Sequence, residues 1–350
     1  MRVGFQCHRY DKGDFINGSI VAWIDYLAEH VEEVRVITLD PPKSLPTRGN
    51  VYLHGFHKGR SKVHTTLNFF KNALTLAPKV DCFFIWQGGH YPGLLKPISL
   101  LTGKPIFQWK AHIFTKSYQK LYSRWCSKAT FTTSMSSYNG GGLVVITGQA
   151  IDTKHFQPKE VDKEWDFLSV GRMNVRKGFH VLIKGLAKAK GRYSLAIAGP
   201  CLTDLDREYE GLLRELAREL KVDVRFIGPV KRTEMPWVMS KARWFAHAAI
   251  AAVDRATLEA GACGVPVISS QRCVVEACEK ADLEIVVEVD RTPEAFAEKM
   301  DKCMGVEGLD YAMLSLDFRG LVNRDHDAGK TWQKIVPIMK IFSKGGKVKV

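Results

Sequence analysis

Arg172, Arg176 and Lys177 lie within one short stretch, Leu168-Ser-Val-Gly-Arg-Met-Asn-Val-Arg-Lys-Gly178. Fixed cations at that density suit a diphosphate, because Arg offers a fork of donors and Lys a point charge. A solvated basic loop would have the same composition. The stretch Arg255-Ala-Thr-Leu-Glu-Ala-Gly-Ala-Cys-Gly-Val-Pro-Val-Ile268 carries a different chemistry. It reads as a helix whose start offers free backbone N–H groups to a phosphate. Glu259, about one turn in, can accept two hydrogen bonds from a diol such as a ribose. Standing alone, Glu259 would be an ordinary solvated helix glutamate.

The elements that must position these residues alternate. The first half reads as strands at 3–7, 34–39, 51–53, 82–86, 105–109, 130–133 and 143–146. Helices fall between them at 20–27, 62–76, 91–101 and 116–126. The second half restarts the pattern, with strands at 165–170, 193–198, 222–227, 244–247, 265–269 and 283–287. Its helices are expected at 179–188, 204–220, 234–239, 255–262, 274–279 and 293–304. On the 204–220 helix, Tyr209, Leu212, Leu213, Leu216 and Leu220 make one apolar stripe. Alternation of this kind implies mostly parallel sheets with helices on both faces. The loop between a strand's carboxyl end and the next helix is where such sheets bind ligands. Three successive strands of the second half end in glycine-bearing turns, at Gly171, Gly199-Pro200 and Gly228-Pro229. Glycine there lets a ligand approach the backbone.

The polar stretch 151–164, with Pro158, marks a domain boundary. The expected organisation is a basic domain over 1–155, a second α/β domain over 156–325, and a terminal helix with a basic tail over 326–350. The helix's Trp332, Ile335, Val336, Met339 and Phe342 share one face, which is expected to pack back on the first domain. Two α/β domains facing each other leave a cleft, a preferred place for ligands.

A length of 350 residues fits two domains at roughly 150 each. The longest apolar run, 244–253, contains His247 and falls far short of the roughly 20 residues a membrane span needs. Met1-Arg2 leads directly into Val3-Gly4-Phe5, so no signal peptide is expected. Eight scattered cysteines without a Cys-x-x-Cys suggest reduced thiols in a cytoplasmic protein. His54, His57 and His64 are joined by no Cys or paired carboxylate, so no metal site is expected.

The net charge of +14 is concentrated. Between residues 41 and 150 there are fourteen Lys and Arg and one acid, Asp81, a net of +13. That field attracts phospholipid headgroups, nucleic acid or a phosphorylated substrate. The segments 58–71 and 116–125 interleave cations with Leu67, Phe69, Phe70, Tyr118, Tyr122 and Trp125, which suits peripheral contact with anionic lipid. The same aromatics could be core residues beside solvated cations.

Taken in order, the motifs make the chain resemble glycosyltransferase family 4, retaining nucleotide-sugar transferases of GT-B fold. Val170-Gly-Arg-Met-Asn-Val-Arg-Lys-Gly178 is similar to the family's strand-end Gly-Arg followed by Lys-Gly. Leu195-Ala-Ile-Ala-Gly-Pro200 and Val224-Arg-Phe-Ile-Gly228 resemble its next two strand ends. Leu258-Glu-Ala-Gly-Ala-Cys-Gly-Val-Pro-Val267 resembles its Leu-Glu-Ala-x-Ala-x-Gly-x-Pro-Val signature. Val145-Ile-Thr-Gly-Gln-Ala-Ile-Asp-Thr-Lys-His-Phe-Gln-Pro158 resembles its interdomain link.

The resemblance implies two Rossmann-like doubly wound domains facing a cleft, and sugar transfer from a UDP- or GDP-linked donor without metal or other cofactor. Arg172 and Lys177 would hold the diphosphate and stabilise its charge as the sugar leaves. Glu259 would bind the ribose. Gly171, Gly199 and Gly228 would let the nucleotide lie against backbone, and the amides of Ala256 and Thr257 would touch phosphate. Gly18, in Asn17-Gly18-Ser19, would form the first-domain turn near the phosphates. His112 would line the sugar pocket, with Lys110 or His90 as alternatives. One departure stands out: the family's second glutamate, eight positions before Glu259, is Ala251 here. The acceptor would face the basic domain, as a lipid-linked or membrane-associated glycan met at the inner membrane face. Nucleic acid is not the expected partner. The competing readings are a binding-only descendant of a transferase and a nucleotide-sugar epimerase.

Overall fold

The computed structural model describes residues 1–14, 18–38, 42–55, 61–111, 115–138, 140–250, 254–271, 274, 276 and 290–346. The chain divides into two compact units, Met1–Asp152 with Asp327–Val350, and Thr153–His326.

The first unit is a seven-stranded parallel sheet in the order β3-β2-β1-β4-β5-β6-β7. Its strands are β1 Arg2–Cys7, β2 Glu33–Thr38, β3 Val51–Gly55, β4 Cys82–Trp86, β5 Ile106–Trp109, β6 Ala129–Thr132 and β7 Val144–Ile146. Side chains alternate between the faces of a strand, and this sheet has a different cover on each. On one face Phe5, Phe84 and Trp109 meet α1 (Ser19–Ala28) and the helix Ala328–Ser343. Trp332 of that last helix is fully buried, and its Nε1 donates to the Trp23 carbonyl at 2.9 Å. Burying a side chain of that size removes roughly 200 Å² from water, at most about 5 kcal/mol. On the other face Phe83, Ile85 and Ile106 pack with Phe69, Ala73, Leu76, Tyr91, Leu95 and Ile98. Those come from α2 (Lys62–Leu76) and α3 (Tyr91–Thr102), and α3 also packs on α4 (Ser117–Cys126).

The second unit is a five-stranded parallel sheet in the order β10-β9-β8-β11-β12. The strands are β8 Trp165–Val170, β9 Ser194–Ala198, β10 Asp223–Gly228, β11 Ala242–His247 and β12 Val267–Ser269. The helices are α5 Phe179–Lys188, α6 Asp204–Glu219, α7 Met235–Ser240, α8 Arg255–Ala262, Pro293–Met304 and Gly308–Asp325. The helix Pro293–Met304 packs on α5, and Gly308–Asp325 packs on α8.

Two sequence expectations are corrected. The helix Gly308–Asp325 has no counterpart among the expected elements. Buried Leu314, Phe318, Leu321 and Val322 share it with exposed Leu309, Met313 and Leu316, so its apolar residues form no one-sided stripe. On α6 the predicted stripe is narrower than expected: Tyr209, Leu213 and Ala217 are buried, whereas Leu212 is 57% exposed. The helix expected at 274–279 and the strand at 283–287 lie outside the described residues, apart from Val274 and Glu276. No helix among the described residues is long and apolar enough to cross a membrane.

Candidate functional site

Because all five strands of the second sheet are parallel, their carboxyl ends share one edge. The chain runs β8 to β9 to β10 in one direction, then returns to place β11 on the other side of β8. The switch point is therefore between β8 and β11, where open sheets bind ligands. The loops leaving these two strands are held together. Gly178 has φ +72°, and a Cβ on it would meet the Ala248 carbonyl oxygen at 2.2 Å. The Ile250 amide donates to the Arg176 carbonyl at 2.9 Å.

Lys177 comes off the first loop in a short 3-10 turn, Val175–Lys177. Its chain crosses Gly171, where a Cβ would lie 2.7 Å from Lys177 Cε. Its Nζ pairs with Asp254, the N-cap of α8. Asp254 Oδ2 also bonds His247 Nε2 at 3.1 Å, and Oδ1 accepts from the Ala256 amide at 3.3 Å. Burial pushes the Asp254 carboxyl upward, but the Lys177 charge and the His247 bond outweigh it and hold the group well below the usual carboxylate range. Burial lowers the His247 pKa despite Asp254. A neutral His247 is satisfied by donating from Nε2 to Asp254 while Nδ1, 3.3 Å from Ser269 Oγ, accepts the hydroxyl proton.

Arg172 begins on the same loop but turns to the neighbouring strand end. Its Nε donates to Asp206 Oδ2 at 2.7 Å, and Nη2 reaches Thr203 Oγ1 at 3.4 Å. Asp206 is buried in the capping box of α6 and accepts from the Leu202 and Thr203 amides at 2.8 and 3.1 Å. Burial raises its pKa, but the Arg172 hydrogen bond and these amides prevail and lower it. The glycines of the three strand ends are neighbours. Gly171 N donates to the Ala198 carbonyl, Gly199 N donates to the Gly228 carbonyl, and a Cβ on Gly199 would lie 1.8 Å from the Gly171 carbonyl oxygen. Gly228 has φ +79° with open space around it.

Glu259 is buried one turn along α8. Its Oε1 accepts from Arg232 Nη1 at 2.9 Å, and Arg255 Nη2 lies 3.7 Å away. Arg232 lies over the Phe156 ring at 4.8 Å, and its Nη2 is buried without a hydrogen-bond partner.

The structure thus gathers Gly171, Lys177, Ala256 and Thr257 around Asp254, with Glu259 further along the same helix. Arg172 sits on the same edge but holds a carboxylate of its own. The Ala256 and Thr257 amides donate to the Asp254 side chain and carbonyl. Gly18 lies at the start of α1, where a Cβ would meet the Asp14 and Lys12 carbonyl oxygens at 2.5 and 2.8 Å. His112, Asn17 and Ala251 lie outside the described residues. Sequence reasoning overlooked Asp206, Arg232 and His247. Thr203-x-x-Asp206 before a helix is a capping-box spacing that signals Asp206. Arg232 follows the Gly228-Pro229 strand end and was detectable there. His247 reads only as a break in an apolar run. Among the described residues no cluster of His, Cys, Asp and Glu is suited to a metal ion.

Residues 150–311 match the family model for glycosyl transferases group 1. They are a group 1 glycosyltransferase domain. This domain includes the whole edge just described. No curated relative matches the chain in sequence. Among solved structures, the chain is similar to Anabaena Alr3699/HepE in complex with UDP and glucose, at 14% identity and TM-score 0.77, covering 97% of this chain and 99% of that one. It is also similar to sucrose-phosphate synthase from Thermosynechococcus elongatus, at 13% identity and TM-score 0.82, covering 99% of this chain and 100% of that one. A third match is the lipopolysaccharide outer core galactosyltransferase WaaB, at 15% identity and TM-score 0.66, covering 98% and 100%. These likenesses extend beyond the glycosyltransferase domain to the whole chain, which has the GT-B fold.

Proposed function

We propose that this protein transfers a sugar from a UDP- or GDP-linked donor to an acceptor hydroxyl, with retention and without a required metal. The observation that carries the reading is the position of Lys177 at the β8/β11 switch point of a group 1 glycosyltransferase domain, on the carboxylate that caps α8. Lys177 holds the donor diphosphate there, sharing itself between phosphate and Asp254. Arg172, more exposed and turned toward the adjacent strand end, supplies the second cation as charge builds on the leaving diphosphate. Glu259, held beside Arg232 and Arg255, accepts the ribose hydroxyls. The Alr3699/HepE complexes with UDP and UDP-glucose support a uridine donor.

The acceptor is a lipid-linked or membrane-associated glycan. On α4, Tyr118, Leu121 and Trp125 are exposed at helical spacing beside Lys120 and Arg124. On α2, Val63, Leu67 and Leu74 are exposed beside Lys62 and Lys71. Apolar side chains flanked by cations suit an anionic membrane, each cation contributing on the order of 1 kcal/mol. Liposome co-sedimentation that rises with anionic lipid content supports this; binding indifferent to it removes the membrane from the proposal.

A binding-only protein is the second reading, and one observation favours it. Ala251 stands where the resembled family carries a carboxylate, and the nearest acid, Asp254, is committed to Lys177, His247 and the Ala256 amide. Titration with UDP-, GDP- and ADP-sugars, repeated with Glu259→Ala and Lys177→Met, tests the donor site. Nucleotide-sugar binding that weakens at least tenfold in both variants supports it; binding unchanged in both sinks it. Donor hydrolysis in the same samples separates a working enzyme from a binding protein.

A further inference from the structure

Asp254 is a carboxylate standing where a diphosphate is to be held. It is the N-cap of α8, and its side chain is 15% exposed. Its two oxygens collect the donors that would grip a phosphate. Oδ2 pairs with Lys177 Nζ and bonds His247 Nε2, and Oδ1 accepts from the Ala256 amide. The Asp254 carbonyl accepts from the Thr257 amide at 3.2 Å, and the Asp254 amide donates to Gln271 Oε1 at 3.1 Å. A carboxylate held by a lysine and a helix-start amide fills the electrostatic place of an incoming anion.

The other two carboxylates of this edge differ. Asp206 is 2% exposed, and its Oδ2 is taken up by Arg172 and by the Leu202 and Thr203 amides. Glu259 lies one turn further along α8 and faces Arg232. Asp254 alone engages both the cation and the helix-start amides that the donor reading gives to phosphate. Lys177 and His247 also keep it ionised against its burial. A diphosphate that reaches Lys177 therefore meets a fixed negative charge on the same ammonium, and like charges at that range repel.

The repulsion is unequal for donor and product. In a nucleotide sugar each phosphate carries one negative charge, because the sugar esterifies the terminal one. In transfer the acceptor oxygen bonds the anomeric carbon, and the sugar–phosphate C–O bond breaks with its electron pair on the phosphate oxygen. The acceptor hydroxyl's proton goes to that oxygen or to water. The terminal phosphate now ionises a second time, with a pKa of about 6, so the spent diphosphate carries one more negative charge than the donor at neutral pH and above. We propose that Asp254 is a specificity-determining residue, which makes the site favour a nucleotide-sugar donor over the spent nucleoside diphosphate by competing for Lys177 and repelling the extra charge. This role rests on the donor reading and names the state of the ligand that the site rejects.

Asp254→Asn tests it. Asparagine removes the charge and still caps a helix. His247 can accept from the new amide by carrying its proton on Nδ1, toward Ser269 Oγ. Titration calorimetry on the full chain, at about pH 8 and without divalent cations, uses UDP, UDP-glucose and the β-methyl ester of UDP. The ester keeps the donor's charge and lacks its sugar. Asp254→Asn is expected to tighten UDP roughly tenfold or more, and to tighten UDP-glucose and the ester by a factor at least roughly threefold smaller. A merely structural loss would weaken all three together. If Asp254→Asn does not fold, Asp254→Ser, also an uncharged cap, carries the same test. The proposal is overturned if UDP binds the variant no more tightly than the unmodified protein, or if the ester tightens as much as UDP. In either case UDP binding by the unmodified protein leaves the donor reading standing. UDP that binds neither protein at about 10 mM overturns both, and UDP binding that emerges only in the variant supports the competing role of Asp254.

Discussion

At the carboxyl edge of the second sheet, Arg172, Lys177 and Arg232 meet Asp206, Asp254 and Glu259 in turn. At the corresponding edge of the first sheet, Lys110 meets the Gln119 amide and an aromatic ring. Both edges belong to parallel sheets with a switch point, so topology does not account for the difference. Counter-charge does. A cation already paired keeps its geometry when no ligand is bound, and an arriving anion competes with a resident carboxylate. A buried cation without an acid is destabilised until an anion arrives, so its site favours negatively charged ligands more sharply.

The contrast can be broken most severely at Asp254. Asp254→Ala leaves Lys177 without its partner and α8 without its cap, and is expected to cost about 4 kcal/mol, read as a lower urea midpoint for the second unit. Gly199→Ala should follow at about 3 kcal/mol, because overpacking here drives a Cβ against backbone at the Gly171 carbonyl. Gly228→Ala, with open space and only its φ at stake, should cost about 1 kcal/mol. Equal losses for the two glycine variants would show that contact between neighbouring strand ends does not hold this edge.

Lys110→Met should act in the opposite direction, raising stability at pH 7 by up to about 2 kcal/mol. The folded Lys110 pKa of about 8 lies below the unfolded value, so between the two the unfolded chain holds the extra proton. Stability contributed at this position therefore rises with pH above about 8, and the rise should vanish in the methionine variant. Thermal unfolding between neutral and alkaline pH checks it. The smallest effect is expected from Asp206→Asn, about 1 kcal/mol at neutral pH. The Asp206 pKa is depressed in the folded protein, so its contribution is present above the unfolded value near 4 and fades as the pH falls. The variant should lose stability less steeply on acidification than the parent.

Much of the framework was legible because buried parallel strands announce themselves. Cys82–Trp86 is a short apolar run and Trp165–Val170 holds four apolar positions in six; both are bounded by polar or glycine residues, and their observed limits agree with the reading. Arg255–Ala262 and Pro293–Met304 likewise start at side chains that cap them, Asp254 and Thr292. The helix Gly308–Asp325 was not legible, since its exposed leucines and methionine hide the period. At the site, Lys177 and Glu259 could be picked out by type and position. Their partners could not, because Asp254 and Arg232 are 77 and 27 residues away in sequence from the groups they hold.

The sequence by itself determined the alternation of strands and helices, the strand-end glycines and the concentration of positive charge between residues 41 and 150. Each of these depends on residue type and on spacing over a few positions, where backbone geometry leaves few options. Only the tertiary structure decided which cations are neutralised. Arg172 and Lys177 are five residues apart, yet they bind carboxylates from different loops. Lys110 lies within the most basic part of the chain and is the one drawn into a buried setting with no acid among the described residues. Pairing of charges is set by which strand ends come together at a sheet's edge, and that is a property of strand order, not of neighbouring residues.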